Sequence, residues 1–357
     1  MWTAPEAASK EATDVSGIAD VARLAGVSKS TASRALSGAG YVSDTTRARV
    51  SSAAASLGYV PSTNAQGLAT GRTQNIGVVM PYVNRWFFAE VLEGIQSALL
   101  EHGLDLTLYD ATPGSERRRR IFDDFLARKR FDGLIAVGLE PEENELDRML
   151  SLGKPVVSVI GVSPRTSVVT IDDEDAARRA TEHLLALGHR RIAFLGGGSV
   201  TRDQHVESAR VQGYRLAMED AGLTHEVRRM PSELSMPAGY AAAVDLLSDA
   251  RSRPTAIVAA CDEVAIGAIV ASRRLGILVP AGLSVIGIDD HEYADMFALT
   301  TLQQVPREQG AHAVDLLVQQ IDDPDAAPLD VIIKPRLIVR SSTAPIGRGA
   351  VPRIDET

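Results

Sequence analysis

The amino-acid sequence predicts an α/β protein in which a small helical module precedes a larger body of parallel sheets. Residues 17–72 carry six basic and two acidic side chains, a net charge of +4, whereas residues from 73 onward sum to −11. From Ile76, short apolar runs alternate with helical segments. At 357 residues the chain also exceeds one ordinary domain. Together these features indicate a basic module attached to an acidic α/β body.

The composition excludes several classes of protein. Hydrophobic residues make up 45% and charged residues 23% of the chain, which excludes a wholly disordered or fibrous protein. The single cysteine, Cys261, permits no intramolecular disulfide and fits a reducing compartment. Residues 1–16 lack the apolar core of a signal peptide, and no apolar run approaches a membrane span. We therefore expect a cytoplasmic protein without a membrane partner, with residues 1–16 as a disordered tail.

The basic module is predicted to hold three short helices. Apolar residues at helical spacing mark the first helix, which Gly26 ends. Ser28 can cap a second helix from Lys29 to about Leu36, and Ser43 can cap a third that stops at Gly58. The tight turn between the first two helices is typical of a helix-turn-helix.

One face of the second helix is polar and basic. Its side chains are Lys29, Ser30, Ser33 and Arg34. Ala32, Ala35 and Leu36 lie on the other face and can pack on the first helix. The hydroxyls and the two cations could reach base edges or phosphates of DNA. The alternative is an amphipathic helix with a solvated face, and periodicity alone leaves both possibilities open.

The body shows two successive series of buried-strand patterns. The apolar runs cover 76–80, 106–109, 133–138 and 155–160 in the first series and 191–197, 255–260 and 284–289 in the second. Continuous apolar strands separated by helices indicate parallel sheets covered on both faces. Two series predict two Rossmann-like subdomains with a ligand crevice at the carboxyl ends of the strands. The segments near 300 and at 331–340 are expected to cross back between the subdomains.

The order of residues in the module resembles a known family. The run IADVARLAGVSKSTASRALSGAGYVSDTTRARV, followed by LGYVP, is similar to the DNA-binding headpiece of the lactose/galactose-repressor (LacI/GalR) family. The similarity continues through LATGRT at 68–73 and IGVVMP at 76–81 to SVIGIDD at 284–290. It covers roughly residues 17–345. The resemblance implies a helix-turn-helix headpiece, a hinge helix and a periplasmic-binding-protein-like body.

The resemblance also implies a domain organisation. The headpiece would span 17–60 and the hinge and linker 61–73. The expected amino-terminal effector subdomain is 74–162 plus 292–324, the carboxyl-terminal one is 163–291 plus 325–342, and 343–357 is a flexible tail. One headpiece offers few contacts, so we expect a homodimer that reads a pseudo-palindromic double-stranded DNA operator.

Residue roles in DNA binding follow from the same resemblance. Lys29, Ser30 and Arg34 would read bases in the major groove, and the fork of Arg34 suits the two acceptors of guanine. Ser28, Thr31 and Ser33 would hold phosphates. In the hinge, Ala65 and Leu68 match residues that enter the minor groove. Leu68 could alternatively be a linker residue packed on the body.

Effector-binding residues are implied at the crevice. They are Arg85, Trp86, Phe87, Asp172, Arg210, Cys261, Asp262 and Asp289. The alternatives are an ion pair between subdomains for Arg210 and Asp289 and a core position for Trp86. Cys261 stands where the family commonly has asparagine, and Leu234 where sugar-binding relatives can place an aromatic residue, so no specific ligand is assigned. The resemblance implies a repressor controlled by a sugar or sugar derivative. The alternatives are a regulator that requires a purine or nucleoside corepressor and a sugar-binding protein that does not bind DNA.

Catalysis is not predicted. No nucleophile–base–acid set can be placed, and the histidines lack metal-ligand spacing. The glycines at 196–198 lack the Gly-Lys-Ser/Thr that a phosphate-binding loop requires. We therefore expect no enzyme activity, no cofactor and no metal.

Overall fold

The computed structural model describes residues 17–38, 40–59, 71–161, 165–198 and 205–346. The chain divides into two compact units, with the boundary between Gln74 and Asn75. The first unit is called the headpiece and the second the body, and each is described by itself.

The headpiece contains α1 (Ile18–Leu24), α2 (Lys29–Ser37) and α3 (Asp44–Ser56), as predicted. A small apolar core joins them, made of Val21, Ala22, Ala25, Ala32, Ala35, Val42, Val50, Ala53 and Ala54. The hydroxyl oxygen of Ser28 accepts a hydrogen bond from the Thr31 backbone N–H at 3.1 Å, and this bond caps α2. Gly26 has φ +64°, a conformation that glycine adopts without strain, and it lets the chain turn sharply between α1 and α2.

The body alternates strands and helices. The elements are β1 (Asn75–Met80), α4 (Trp86–Glu101), β2 (Asp105–Asp110), α5 (Glu116–Arg120), β3 (Gly133–Val137), α6 (Glu143–Ser151), β4 (Val156–Val159), β5 (Ser167–Ile171), α7 (Asp173–Ala186), β6 (Ile192–Leu195), α8 (His205–Asp220), β7 (Arg228–Met230), α9 (Met236–Leu247), β8 (Ala256–Ala259), α10 (Asp262–Arg274), β9 (Ser284–Asp289), β10 (Thr300–Gln303), α11 (Pro306–Asp322), β11 (Asp330–Ile333) and β12 (Arg336–Ile338). A π-helical turn, Ile121–Phe125, and a short 3-10 helix, Leu126–Arg128, extend α5.

The strands form two six-stranded sheets. The first has the order β11-β5-β4-β3-β1-β2 and is parallel throughout. The second has the order β12-β10-β9-β8-β6-β7, and only its edge strand β12 runs antiparallel. All residues of β3 and β8 are buried, as expected for central strands covered on both faces. The predicted pair of parallel α/β subdomains is therefore confirmed.

The strand pairing corrects the predicted boundaries between the two subdomains, which we call the first and second lobes. The crossing expected near 162 lies after Ile171, because β5 pairs with β4 and β11. The crossing expected near 291 lies after Gln303, because β10 pairs with β9, whereas α11 packs on the first sheet. The third lies between β11 and β12 instead of near 325. Of the described residues, the first lobe thus holds 75–161, 165–171 and 306–333, and the second holds 173–198, 205–303 and 336–346.

Candidate DNA-binding and effector sites

Helix α2 presents its polar face to solvent. Lys29, Ser30 and Arg34 are exposed, whereas Ala32 and Ala35 are buried against the other headpiece helices. The Arg34 Nε donates to the Ser30 backbone oxygen at 3.2 Å. The predicted base-reading residues therefore share one solvent-exposed face of α2, and the opposite face packs in the headpiece core.

The predicted phosphate-binding residues lie at the start and on the flank of α2. The Ser28 hydroxyl is 2.9 Å from that of Ser30 and 2.8 Å from that of Thr31. Ser33 and Thr31 are half-buried. Backbone N–H groups at a helix start favour an anion, and the hydroxyls of Ser28, Ser30 and Thr31 lie together at that end of α2. The hinge residues Ala65 and Leu68 lie outside the described residues.

Residues that follow the carboxyl ends of strands in the two lobes come into contact, and we call the region where they meet the crevice. Trp86 follows β1 in the first lobe and His291 follows β9 in the second, and their ring centroids are 4.6 Å apart. Arg85 lies with its guanidinium 3.8 Å from the Tyr82 ring centroid. Burial raises the pKa of Glu263 in the second lobe, and the charge of Arg85 opposes that rise. The structure thus places Arg85 and Trp86 where the first lobe meets the second.

The Phe87 side chain packs in the first lobe. Its side chain packs against the first lobe's apolar core, and its ring meets that of Phe88 edge to face, with centroids 5.8 Å apart. The sequence places it beside Trp86, but consecutive helical residues point in different directions.

Arg210 forms a buried ion pair within the second lobe. Its Nε donates to the Asp173 Oδ1 at 2.8 Å, and its terminal nitrogen donates to the Ala260 carbonyl. Burial raises the pKa of Asp173, and the neighbouring Arg210 partly offsets that rise. The predicted alternative for Arg210, an ion pair between lobes, is therefore replaced by a pair inside one lobe. Asp172, also predicted to bind effector, is exposed and caps α7 by accepting from the Asp175 N–H at 2.9 Å.

Asp262 is fully buried and has both carboxylate oxygens occupied. It accepts hydrogen bonds from the Thr301 hydroxyl at 2.7 Å and the His291 backbone N–H at 2.9 Å. It thereby holds the loop after β9 rather than offering a free acceptor to a ligand. Cys261, beside it, is buried as well, and burial raises the pKa of its thiol.

Asp289 ends β9 and belongs to a buried polar chain between the lobes. Its Oδ1 accepts from the Gln304 Nε2 at 2.5 Å, and the Gln304 Oε1 accepts from the Gln309 Nε2 at 3.3 Å. Gln309 lies on α11, which packs on the first sheet. Burial raises the pKa of Asp289, and the charge of the nearby Arg210 partly offsets that rise. Gln304 thus occupies one of the two carboxylate oxygens of Asp289.

Sequence reasoning missed Asp173, His291 and Gln304 at this crevice. Asp173 stands in an acidic run where the sequence does not distinguish the buried member from its exposed neighbours. His291 directly follows the SVIGIDD strand, and its position at a carboxyl strand end was the available signal.

A pH dependence of stability follows from the two buried carboxyls. Burial and the proximity of Asp289 raise the pKa of Asp262, and burial raises that of Asp289. The unfolded chain releases these protons near pH 4, whereas the folded chain retains them to higher pH, so stability falls as pH rises through this window. We expect urea unfolding to show a lower free energy at about pH 8 than at about pH 5. The D262N variant should show a weaker dependence, and an unchanged slope would exclude Asp262 as its source.

Within the described ranges, no group of three or more His, Cys, Asp or Glu side chains could hold a metal ion. In the same residues, no helix combines the length and apolar character needed to span a bilayer.

Comparison with known proteins identifies the family. Residues 17–62 match the model described as bacterial regulatory proteins, lacI family, and residues 181–343 match the periplasmic binding protein-like domain. The HTH-type transcriptional regulator DegA of Bacillus subtilis (strain 168) is 34% identical over 338 residues, which cover 92% of this chain and 98% of DegA. The chain belongs to the LacI family. The HTH-type transcriptional repressor PurR of Vibrio vulnificus (strain CMCP6) is 31% identical over 92% of the chain and 99% of PurR.

Solved structures agree with this assignment. The lac repressor dimer bound to operator and the anti-inducer ONPF matches with a TM-score of 0.80 and 28% identity, over 92% of this chain and 99% of that one. A transcriptional regulator CelR–cellobiose complex matches with a TM-score of 0.66 and 30% identity, over 92% and 99%. The protein is a LacI-family DNA-binding transcriptional regulator and not an enzyme, as its sequence predicted. Members of this family bind DNA operators and small-molecule effectors and act as dimers.

Proposed function

We propose that α2 reads the operator through Lys29, Ser30 and Arg34. The observation that carries this proposal is that all three are exposed on one face while Ala32 and Ala35 anchor the opposite face. Arg34 can place two N–H groups on the acceptors of one guanine, and Lys29 and Ser30 can reach neighbouring base edges. The family resemblance supplies the orientation of this face in the major groove.

The phosphate contacts are assigned to the start of the same helix. Thr31 and Ser33 would donate hydrogen bonds to phosphate oxygens. The Ser28 hydroxyl, whose oxygen caps α2, would donate its proton to a phosphate as well. Ala65 and Leu68 would enter the minor groove, a proposal that rests on the resemblance alone. Two copies of the chain would present two headpieces to a pseudo-palindromic operator. A bacterial regulator that binds chromosomal DNA must be in the cytoplasm, and we propose that location for this protein.

For the effector we propose a sugar or sugar derivative bound between the lobes. Trp86 offers an aromatic face that can pack on the C–H face of a sugar ring. Arg85, Arg210, Asp172 and Asp289 would supply the hydrogen bonds. Cys261, Asp262 and Phe87 would support the pocket without hydrogen bonding to the ligand. Cys261 and Asp262 are buried, and Phe87 packs against the core of the first lobe. The CelR–cellobiose complex supports a carbohydrate as the ligand class.

A purine or nucleoside corepressor is the second candidate. It is favoured by the whole-length similarity to PurR repressors. A flat base could also stack on Trp86. Leu234, half-buried against both cores of the second lobe, offers no aromatic ring for the opposite face of such a base.

Effector binding would change DNA affinity through the crevice. A ligand that binds the Asp289 Oδ1 would displace the Gln304 amide, and one that stacks on the face of Trp86 nearest His291 would displace that imidazole. The Trp86–His291 contact joins the lobes directly, and Gln304 links Asp289 to Gln309 of the first lobe, so their replacement would change how the first lobe is held. For an inducer the operator affinity would fall, and for a corepressor it would rise. The coupling free energy would be about 1–3 kcal/mol.

The ligand class can be tested by a thermal-shift panel of sugars, sugar phosphates, nucleosides and purines on the full-length protein. A ligand at a hundred times its dissociation constant stabilises the native state by about 2.7 kcal/mol. We expect a sugar to raise the melting temperature of the wild type and not of the W86A variant. A shift with purines or nucleosides alone would replace the sugar assignment with the corepressor one.

A further inference from the structure

An exposed basic turn stands out on the acidic body. Arg128, Lys129 and Arg130 are consecutive and exposed. Within the described part of the chain, no ion pair within 4.0 Å neutralises any of the three. The nearby Asp132 is buried and lies 3.9 Å from the Lys154 ammonium, so its charge is already balanced.

The turn is held rigidly from both sides. Leu126 and Phe131, which flank it, are buried in the core of the first lobe. The Asn75 side chain donates to the Arg130 carbonyl at 2.6 Å, and the Asn75 carbonyl accepts from the Asp132 N–H at 2.8 Å. The Arg128 guanidinium lies 4.5 Å from the Phe125 ring centroid. A partner that binds these cations therefore has little backbone entropy to overcome.

The location of the turn indicates its partner. It precedes β3, at the amino ends of the strands of the first sheet, whereas the crevice lies at the carboxyl ends. Asn75, which binds the Arg130 carbonyl, is the first residue after the chain arrives from the headpiece. The turn thus lies at the edge of the body to which the DNA-binding unit is tethered.

We infer that Arg128, Lys129 and Arg130 contact phosphates of the DNA beside the bases that the headpiece reads. Residues from 73 onward have a net charge of −11, which repels DNA, and a fixed basic turn at the tethered edge offsets that repulsion locally. Such contacts add affinity without sequence preference. The inference rests on operator binding by the headpiece and adds a second DNA-contacting surface on the body.

The test is the salt dependence of DNA binding by the R128Q/R130Q variant. The probe is a duplex selected from a random-sequence library by the wild-type protein. Each lost phosphate contact reduces the slope of log affinity against log salt by about 0.9, so we expect a slope less steep by about 1–2 and a several-fold loss of affinity. The R128K/R130K variant, which retains both charges, should restore the wild-type slope.

The matched control is R190Q/R191Q. These two arginines are also adjacent and exposed, and they precede β6 at the amino ends of the second sheet. The control should keep the wild-type slope. Equal slopes for wild type and R128Q/R130Q would overturn the inference, as would an equal reduction in both double variants, which would indicate a general effect of net charge. Failure of the wild type to select any sequence would instead overturn the headpiece assignment.

Discussion

The R210M variant is expected to lose about 3–5 kcal/mol of unfolding free energy, as is usual when one partner of a buried ion pair is removed. Arg210 and Asp173 are both buried, and their side chains lie 2.8 Å apart. Methionine fills much of the same volume but leaves the Asp173 carboxylate without its cation in a site where burial already raises its pKa. Urea unfolding at neutral pH measures the loss.

The double variant D173N/R210M separates charge from packing. Because it contains neither charge, we expect it to recover much of the stability that R210M loses. Removal of Arg210 should raise the pKa of Asp173 further, so the deficit of R210M should be smaller near pH 4 and grow as pH rises. A deficit independent of pH, shared in full by the double variant, would show that the lost packing of Arg210, not its charge, is responsible.

The R34A variant is expected to lose about 1–3 kcal/mol of operator-binding free energy and to relax the preference at one base pair. Arg34 is exposed on α2, and its side chain is the one on that face with a fork that matches guanine. Binding to the selected duplex, to single-base variants of it and to random DNA measures both effects.

The R34K variant is the matched control for charge. It keeps one positive charge but cannot bond to both guanine acceptors. We therefore expect R34K to retain most affinity for random DNA while losing discrimination at the same base pair as R34A. If R34A lost equal affinity for selected and random duplexes, Arg34 would be a phosphate contact and not a base reader.

The elements that the sequence predicted well are those whose burial is visible in composition. Central strands such as β3 and β8 are apolar along their whole length, and α2 and α3 begin at capping serines. Strand β7, Arg228–Met230, was missed because a short edge strand with two arginines lacks the apolar pattern by which the other strands were predicted. Strand β5 was missed as a member of the first sheet, since a short strand does not reveal which neighbour it pairs with. For that reason the strand pairing places the first crossing between the lobes after Ile171 and not near 162.

The sequence proposes which residues line an effector site, but it does not predict which side chains contact one another. Arg85, Trp86 and Arg210 are named because they align with the family's sequence pattern. Their contacts with other side chains depend on tertiary packing, which that pattern does not give. The sequence did not show that Asp173 would pair with Arg210, or that His291 would meet Trp86. Nor did it show that the two carboxylate oxygens of Asp262 would accept hydrogen bonds from the Thr301 hydroxyl and the His291 backbone N–H.

The most direct test of the account measures the dissociation constant of the effector, identified by the ligand panel, with and without saturating operator DNA. Linkage requires that DNA change effector affinity by the same factor by which the effector changes operator affinity, about 5–150-fold for a coupling of this size. We expect weaker effector binding on DNA for an inducer and tighter binding for a corepressor. An effector affinity unaffected by saturating operator would contradict the proposed coupling between the crevice and the headpiece.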